Sequence, residues 1–188
     1  FTGDIFNVKT CYDTVPNKWE PFDHKTYESY QGKAYAVVTN IETGKAEYLL
    51  VDGYNIIFAW EELAEQAKHD LDAARRRLCD ILSSFAGFKK CYLVLVFDGY
   101  KNKGSTGEKT VEGGLRVVYT AEGETADAYI EALADQIGKN YAVRVATSDG
   151  MEQLIILGHG ALRLSAAAFK AEVDGVVRSI RAFLAEGE

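Results

Sequence analysis

Tyr48-Leu49-Leu50-Val51-Asp52-Gly53 is the stretch from which the fold is read: consecutive apolar residues with no polar alternation, closed by an aspartate and a glycine. A strand buried on both faces of a parallel sheet has this signature. The figure recurs downstream. Cys91 to Phe97 (CYLVLVF) runs into Asp98-Gly99, Leu115 to Tyr119 (LRVVY) leads to Glu124 and Asp127, and Val143 to Thr147 (VRVAT) leads to Ser148-Asp149. Helical periods lie between. Leu63, Ala67, Leu71, Ala74, Leu78, Ile81, Leu82 and Phe85 recur at helical spacing, predicting one amphipathic helix over about 61–85 that Gly87 ends. Residues 98–114 read as a loop rich in Lys and Gly; helices are expected over 126–137, briefly near 152–157, and over 166–184 with Ser165 as N-cap. Strands alternating with helices predict an α/β fold, a mostly parallel central sheet with helices on both faces.

Residues 1–46 differ from this pattern. They hold both prolines, Pro16 and Pro21, with Trp19, Tyr12, Tyr27, Tyr30 and Tyr35, and no helical period. They are read as an N-terminal extension or the remnant of a preceding domain, with 47–188 as the main domain. The only methionine is Met151, so a piece cut from a longer chain, or a trimmed one, is expected. With 188 residues and 47% apolar content the chain can bury a full core. Net charge is -7, which excludes a broad basic surface and makes any nucleic-acid contact local. Cys11, Cys79 and Cys91 are odd in number and lack CxxC spacing, as in a reducing compartment, so a cytoplasmic protein is expected. No apolar stretch approaches the roughly 20 residues of a membrane span.

Ligands of open α/β sheets bind beyond the carboxyl ends of the strands, where loops converge. Asp52, Asp98 and Asp149 each follow a predicted strand, and Glu124 and Asp127 open the helix after the third one. Carboxylates gathered at one edge raise each other's pKa unless a cation neutralises them, which points to a hard metal, Mg²⁺ or Mn²⁺. Such a metal activates water and stabilises the charge that builds on a phosphodiester. Each acid also has a plain structural reading. Asp52 and Asp98 precede glycines as turn residues do, Asp127 suits a helix N-terminus, and Asp149 suits an N-cap. What favours the joint reading is that three strand ends and one helix start all carry an acid.

Asp52-Gly53-Tyr54-Asn55 (DGYN), Phe97-Asp98, Glu124 to Asp127 (ETAD), Ala146 to Asp149 (ATSD) and Gly160 to Ala166 (GALRLSA) together resemble the YacP-like branch of NYN-domain nucleases. The resemblance spans about 48–184 and implies a PIN-like three-layer sandwich and a Mg²⁺- or Mn²⁺-dependent endoribonuclease, in some members acting on mRNA engaged by the ribosome. It implies that Asp52, Asp98, Asp127 and Asp149 hold metal directly or through water. Asn55 orients a ligand or water, Glu124 is a ligand or supports one, and Ser148 and Arg163 hold substrate phosphate. It also suggests the C-terminal domain of an elongation-factor-like GTPase fusion.

Lys101 and Lys103 border the acids in the lysine-rich loop and are candidate substrate contacts, with Tyr100 as a stacking face. Arg75, Arg76 and Arg77 lie on the long predicted helix and are expected to serve solubility and ion pairing. Gly158-His159-Gly160 does not complete a dinucleotide loop and Gly113-Gly114 does not complete a P-loop, so no nucleotide cofactor is expected. The histidines lack zinc spacing. The rival readings are a non-catalytic RNA- or ribosome-binding module of the same fold and a nuclease acting on DNA flaps or single strands.

Overall fold

The computed structural model describes residues 7–12, 34–39, 46–99, 109–112, 115–148 and 160–186. Within the N-terminal region, β1 (Asn7–Tyr12) and β2 (Ala34–Thr39) form an antiparallel pair, in register from Asn7 opposite Thr39 to Tyr12 opposite Ala34.

From residue 47 the elements follow in the order β3 (Glu47–Asp52), α1 (Gly53–Ala59), α2 (Glu61–His69), α3 (Leu71–Lys89), β4 (Tyr92–Phe97), β5 (Lys109–Glu112), β6 (Leu115–Tyr119), α4 (Ala126–Ile137), β7 (Ala142–Thr147), β8 (Leu162–Ser165) and α5 (Ala166–Glu186). The sheet order is β5-β6-β4-β3-β7-β8. All its pairings are parallel except β5 on β6, so the sheet has five parallel strands with one antiparallel edge. β4 and β6 lie to one side of β3, whereas β7 and β8 lie to the other, which makes the β3/β7 boundary the point where strand order reverses.

Alternate residues of β3 feed the two faces, as the pleat requires. Leu49 and Val51 pack with Ile56 and Ile57 of α1, Leu63 of α2, Leu78, Leu82 and Phe85 of α3, and Phe169 and Val173 of α5. Tyr48 and Leu50 pack with Ala126, Ile130, Ala134 and Ile137 of α4. The result is the expected α/β sandwich of three layers. Trp60, between α1 and α2, donates from Nε1 to the Ala166 carbonyl at 2.9 Å and ties the first helices to the start of α5.

Local corrections have physical causes. The helix expected over 61–85 is two helices, because Asp70 takes an extended backbone (φ -150°) and its Oδ1 accepts from Ala73 N at 2.9 Å, capping α3. The apolar period runs through the break because Leu63, Ala74 and Leu78 face one core. Gly87 does not end α3. The helix continues to Lys89 and closes on Lys90 in the left-handed region, φ 55°. α1, β5 and β8 were not expected: α1 hides behind an Asp-Gly pair, and Leu162 and Arg163 on β8 are exposed rather than apolar on both faces. α4 and the Ser165 cap are as expected, Ser165 Oγ accepting from Ala168 N at 3.1 Å. The stretch near 152–157 lies outside the described residues.

Candidate active site

Asp52 is the last residue of β3 and the N-cap of α1. Its Oδ1 accepts from Asn55 N at 3.0 Å and its Oδ2 from Asn55 Nδ2 at 2.7 Å. Ser148, just past β7, donates its hydroxyl to Asn55 Oδ1. One chain of hydrogen bonds therefore joins the ends of β3 and β7 across the point where strand order reverses, the usual ligand crevice of such sheets. Gly53 makes this possible by close approach rather than by turn geometry. A Cβ there would stand 2.2 Å from Phe97 Cε1, far closer than two carbons can approach in van der Waals contact.

The second acid is brought in through α4. Asp98, half-buried at the end of β4, accepts from Ala126 N at 2.7 Å and so anchors the first turn of that helix. The turn ahead of the helix is pinned to the same strand. Thr120 N donates to the Phe97 carbonyl at 3.0 Å, Gly99 N donates to Thr120 Oγ1 at 3.0 Å, and the Thr120 hydroxyl donates to the Glu124 carbonyl at 2.7 Å. Asp127, in the first turn of α4, is thereby held against Asp52.

Asp52 is only 3% exposed, and its carboxyl is pushed up from 3.8 to about 6. Burial is the largest cause, with the two Asn55 hydrogen bonds opposing it and the neighbouring Asp127 carboxylate adding to it. A buried carboxylate facing a second one is stable only with a shared proton or a cation. The donor set is hard oxygen, which fits Mg²⁺ or Mn²⁺ better than a softer metal. Each Asp52 oxygen accepts one hydrogen bond, which leaves lone pairs for a metal or its water.

Not every expected residue joins this network. Among the described residues, no group of three or more Asp, Glu, His or Cys side chains stands close enough to hold one metal ion. Of the expected quartet, Asp52 faces Asp127, and Asp98 accepts a single hydrogen bond from the α4 backbone through Oδ1. Glu124 is exposed and turned to its own loop, accepting from Ala121 N at 3.4 Å. Arg163 is exposed on β8, in register with Val145, and is not part of the network. Asp149, Lys101, Lys103 and Tyr100 lie outside the described residues.

Two contributors were missed in the sequence. Thr120, buried between strand and helix, carries no motif. Arg75 was expected to serve solubility and ion pairing; it does pair with Asp72, but it is only 8% exposed and also donates from Nη1 to the Tyr54 hydroxyl at 2.7 Å. Arg76 and Arg77 do make exposed pairs, at 3.7 Å to Asp70 and to Glu62. A cavity of about 410 Å³ between α2, α3 and α5, walled by Trp60, Arg77, Lys170 and Arg181, includes neither Asp52 nor Asp127.

Comparison with known proteins agrees with this architecture. The profile of the YacP-like NYN domain matches residues 49–187. The protein YacP of Bacillus subtilis (strain 168) is 38% identical over 136 residues, which is 71% of this chain and 79% of that protein. The crystal structure of Rae1 (YacP) from Bacillus subtilis matches with a TM-score of 0.65 and 36% identity, covering 74% of this chain and 80% of that one. The structure of its tryptophan-to-leucine mutant matches with a TM-score of 0.62 and 34% identity, covering 72% and 79%. The chain belongs to the YacP-like NYN domain family, a family of the nuclease type.

Proposed function

We propose that the domain of residues 47–188 is a metal-dependent endoribonuclease that hydrolyses RNA phosphodiester bonds with Mg²⁺ or Mn²⁺. The observation that carries this reading is the buried Asp52 carboxylate set against Asp127 at the point where strand order reverses. Asp52 and Asp127 hold the cation, and Asp149 follows β7 in the chain on the side from which it would join them. The bound metal supplies an activated water and charge stabilisation at the scissile phosphate.

The remaining residues position these acids. Asn55 fixes the Asp52 carboxylate through its backbone and side-chain nitrogens and passes that orientation to Ser148. Asp98 sets Asp127 indirectly, by fastening the first turn of α4. Ser148 and Arg163, with Lys101 and Lys103, contact substrate phosphates. Net charge -7 repels free RNA at long range, so the reading extends to mRNA presented by the ribosome in the cytoplasm. The elongation-factor-like GTPase fusion rests on the family resemblance and belongs to the same proposal.

The test is incubation with labelled RNA and DNA, with and without Mn²⁺, alone and with ribosomes. Internal cleavage of RNA that needs Mn²⁺ and is faster on ribosomes supports the reading. Cleavage of DNA alone contradicts the substrate, and equal cleavage of free and ribosomal RNA contradicts the context.

A further inference from the structure

Phe58 stands on α1, the helix that Asp52 caps, and 56% of its surface is exposed. It follows Asn55 by three residues, so the two are neighbours on one helix surface, about 4.5 Å apart along the axis. Its ring stacks on Tyr54, with centroids 6.2 Å apart and an interplanar angle of 20°. Tyr54 is fixed in turn. It is 3% exposed, its ring meets Phe97 edge-on at 5.1 Å, and its hydroxyl accepts from Arg75 Nη1 at 2.7 Å. The exposed large aromatics among the described residues are Phe58, Phe88 and Phe183, and of these only Phe58 stands on the helix that carries Asn55 and is capped by Asp52.

We propose that Phe58 is a stacking platform for an unpaired base of single-stranded RNA, placed beside the phosphodiester that reaches Asp52 and Asp127. The inference rests on the reading of that site as acting on RNA and adds how the strand is held there. An aromatic face accepts any base, because every base has a π-face, and it needs that base out of a duplex. Stacking is also a contact that a net charge of -7 does not oppose, unlike phosphate binding. The backing by Tyr54 and Arg75 means that little motion is frozen when a base arrives.

The test is a titration of the wild-type chain, Phe58→Ala and Phe58→Tyr into a short single-stranded RNA carrying one 2-aminopurine. EDTA is present, and the RNA is checked for integrity. Wild type and Phe58→Tyr should quench the probe, and Phe58→Ala should bind roughly tenfold more weakly with the quench lost. An abasic nucleotide at the probed position should erase the difference between wild type and Phe58→Ala, which a merely structural role would not do. Equal affinity and quenching in wild type and Phe58→Ala, or no binding by wild type, overturns the platform. A platform defect in a chain that cleaves no RNA in any metal would keep this inference and remove the nuclease reading. Cleavage with an unchanged KM in Phe58→Ala would do the reverse.

Discussion

Replacing Asp52 by Asn should stabilise the metal-free protein at neutral pH and do so less at acid pH. Because the folded carboxyl titrates near 6 and the unfolded one near 3.8, the folded state holds that proton more tightly. Stability from this group is therefore full below pH 3.8, is lost as pH rises, and stays lost above 6. The difference between the two values corresponds to roughly 3 kcal/mol at pH 8, of which about half develops above pH 5. The asparagine side chain of the Asp52→Asn variant carries no charge and keeps an oxygen to cap α1. Its amide would meet Asn55 Nδ2 donor to donor, costing about 1 kcal/mol for the lost hydrogen bond. The net gain at pH 8 is about 2 kcal/mol, a Tm rise of roughly 4–8 °C for a chain of this size. Thermal unfolding followed by circular dichroism in EDTA, at pH 5 and pH 8, measures it. A variant less stable than wild type at pH 8, or a Tm difference independent of pH, would refute the placing of Asp52 as a buried carboxylate facing another.

Millimolar Mn²⁺ should raise the Tm of the wild type, by the equivalent of about 2.7 kcal/mol if the free ion reaches a hundred times its Kd. The rise should vanish in the Asp52→Asn, Asp98→Asn double variant, as read by the same melts. Gly53→Ala should cost about 1–3 kcal/mol by overpacking, since its Cβ would stand 2.2 Å from the fully buried Phe97 ring. Urea unfolding of this variant checks it, and a stability equal to wild type would count against the tight seating of α1.

The parallel core was legible because β3 and β4 are buried along nearly their whole length and so appear as unbroken apolar runs. α4 was legible from its period and its acid-rich start, whereas α1 was not. A helix of seven residues offers barely two turns of pattern, and its opening Asp-Gly reads equally well as a turn. Edge strand β8 lacks the double-sided burial that marks a strand in sequence, and β5 is only four residues long. At the site, the pairing of Asp52 with Asp127 follows from strand ends and helix starts converging, which spacing in the chain does reveal. The side-chain roles do not follow from spacing. Asp98 accepts from the Ala126 N–H, and Glu124 accepts from Ala121 N in its own loop, contacts that no motif announces. Arg75 makes the expected ion pair, with Asp72, but its burial was not legible, because only the helix phase relative to Tyr54 turns one of three consecutive arginines inward.

The most direct test of the central claim is the rate of internal cleavage of an end-labelled RNA under single turnover, comparing wild type, Asp52→Asn and Asp127→Asn, with folding confirmed by circular dichroism. The account predicts cleavage by wild type in Mn²⁺ and none in EDTA, with each variant slower by at least about 100-fold, as loss of a group that stabilises transition-state charge implies. Asp52→Asn cleaving RNA at the wild-type rate in Mn²⁺ would contradict it.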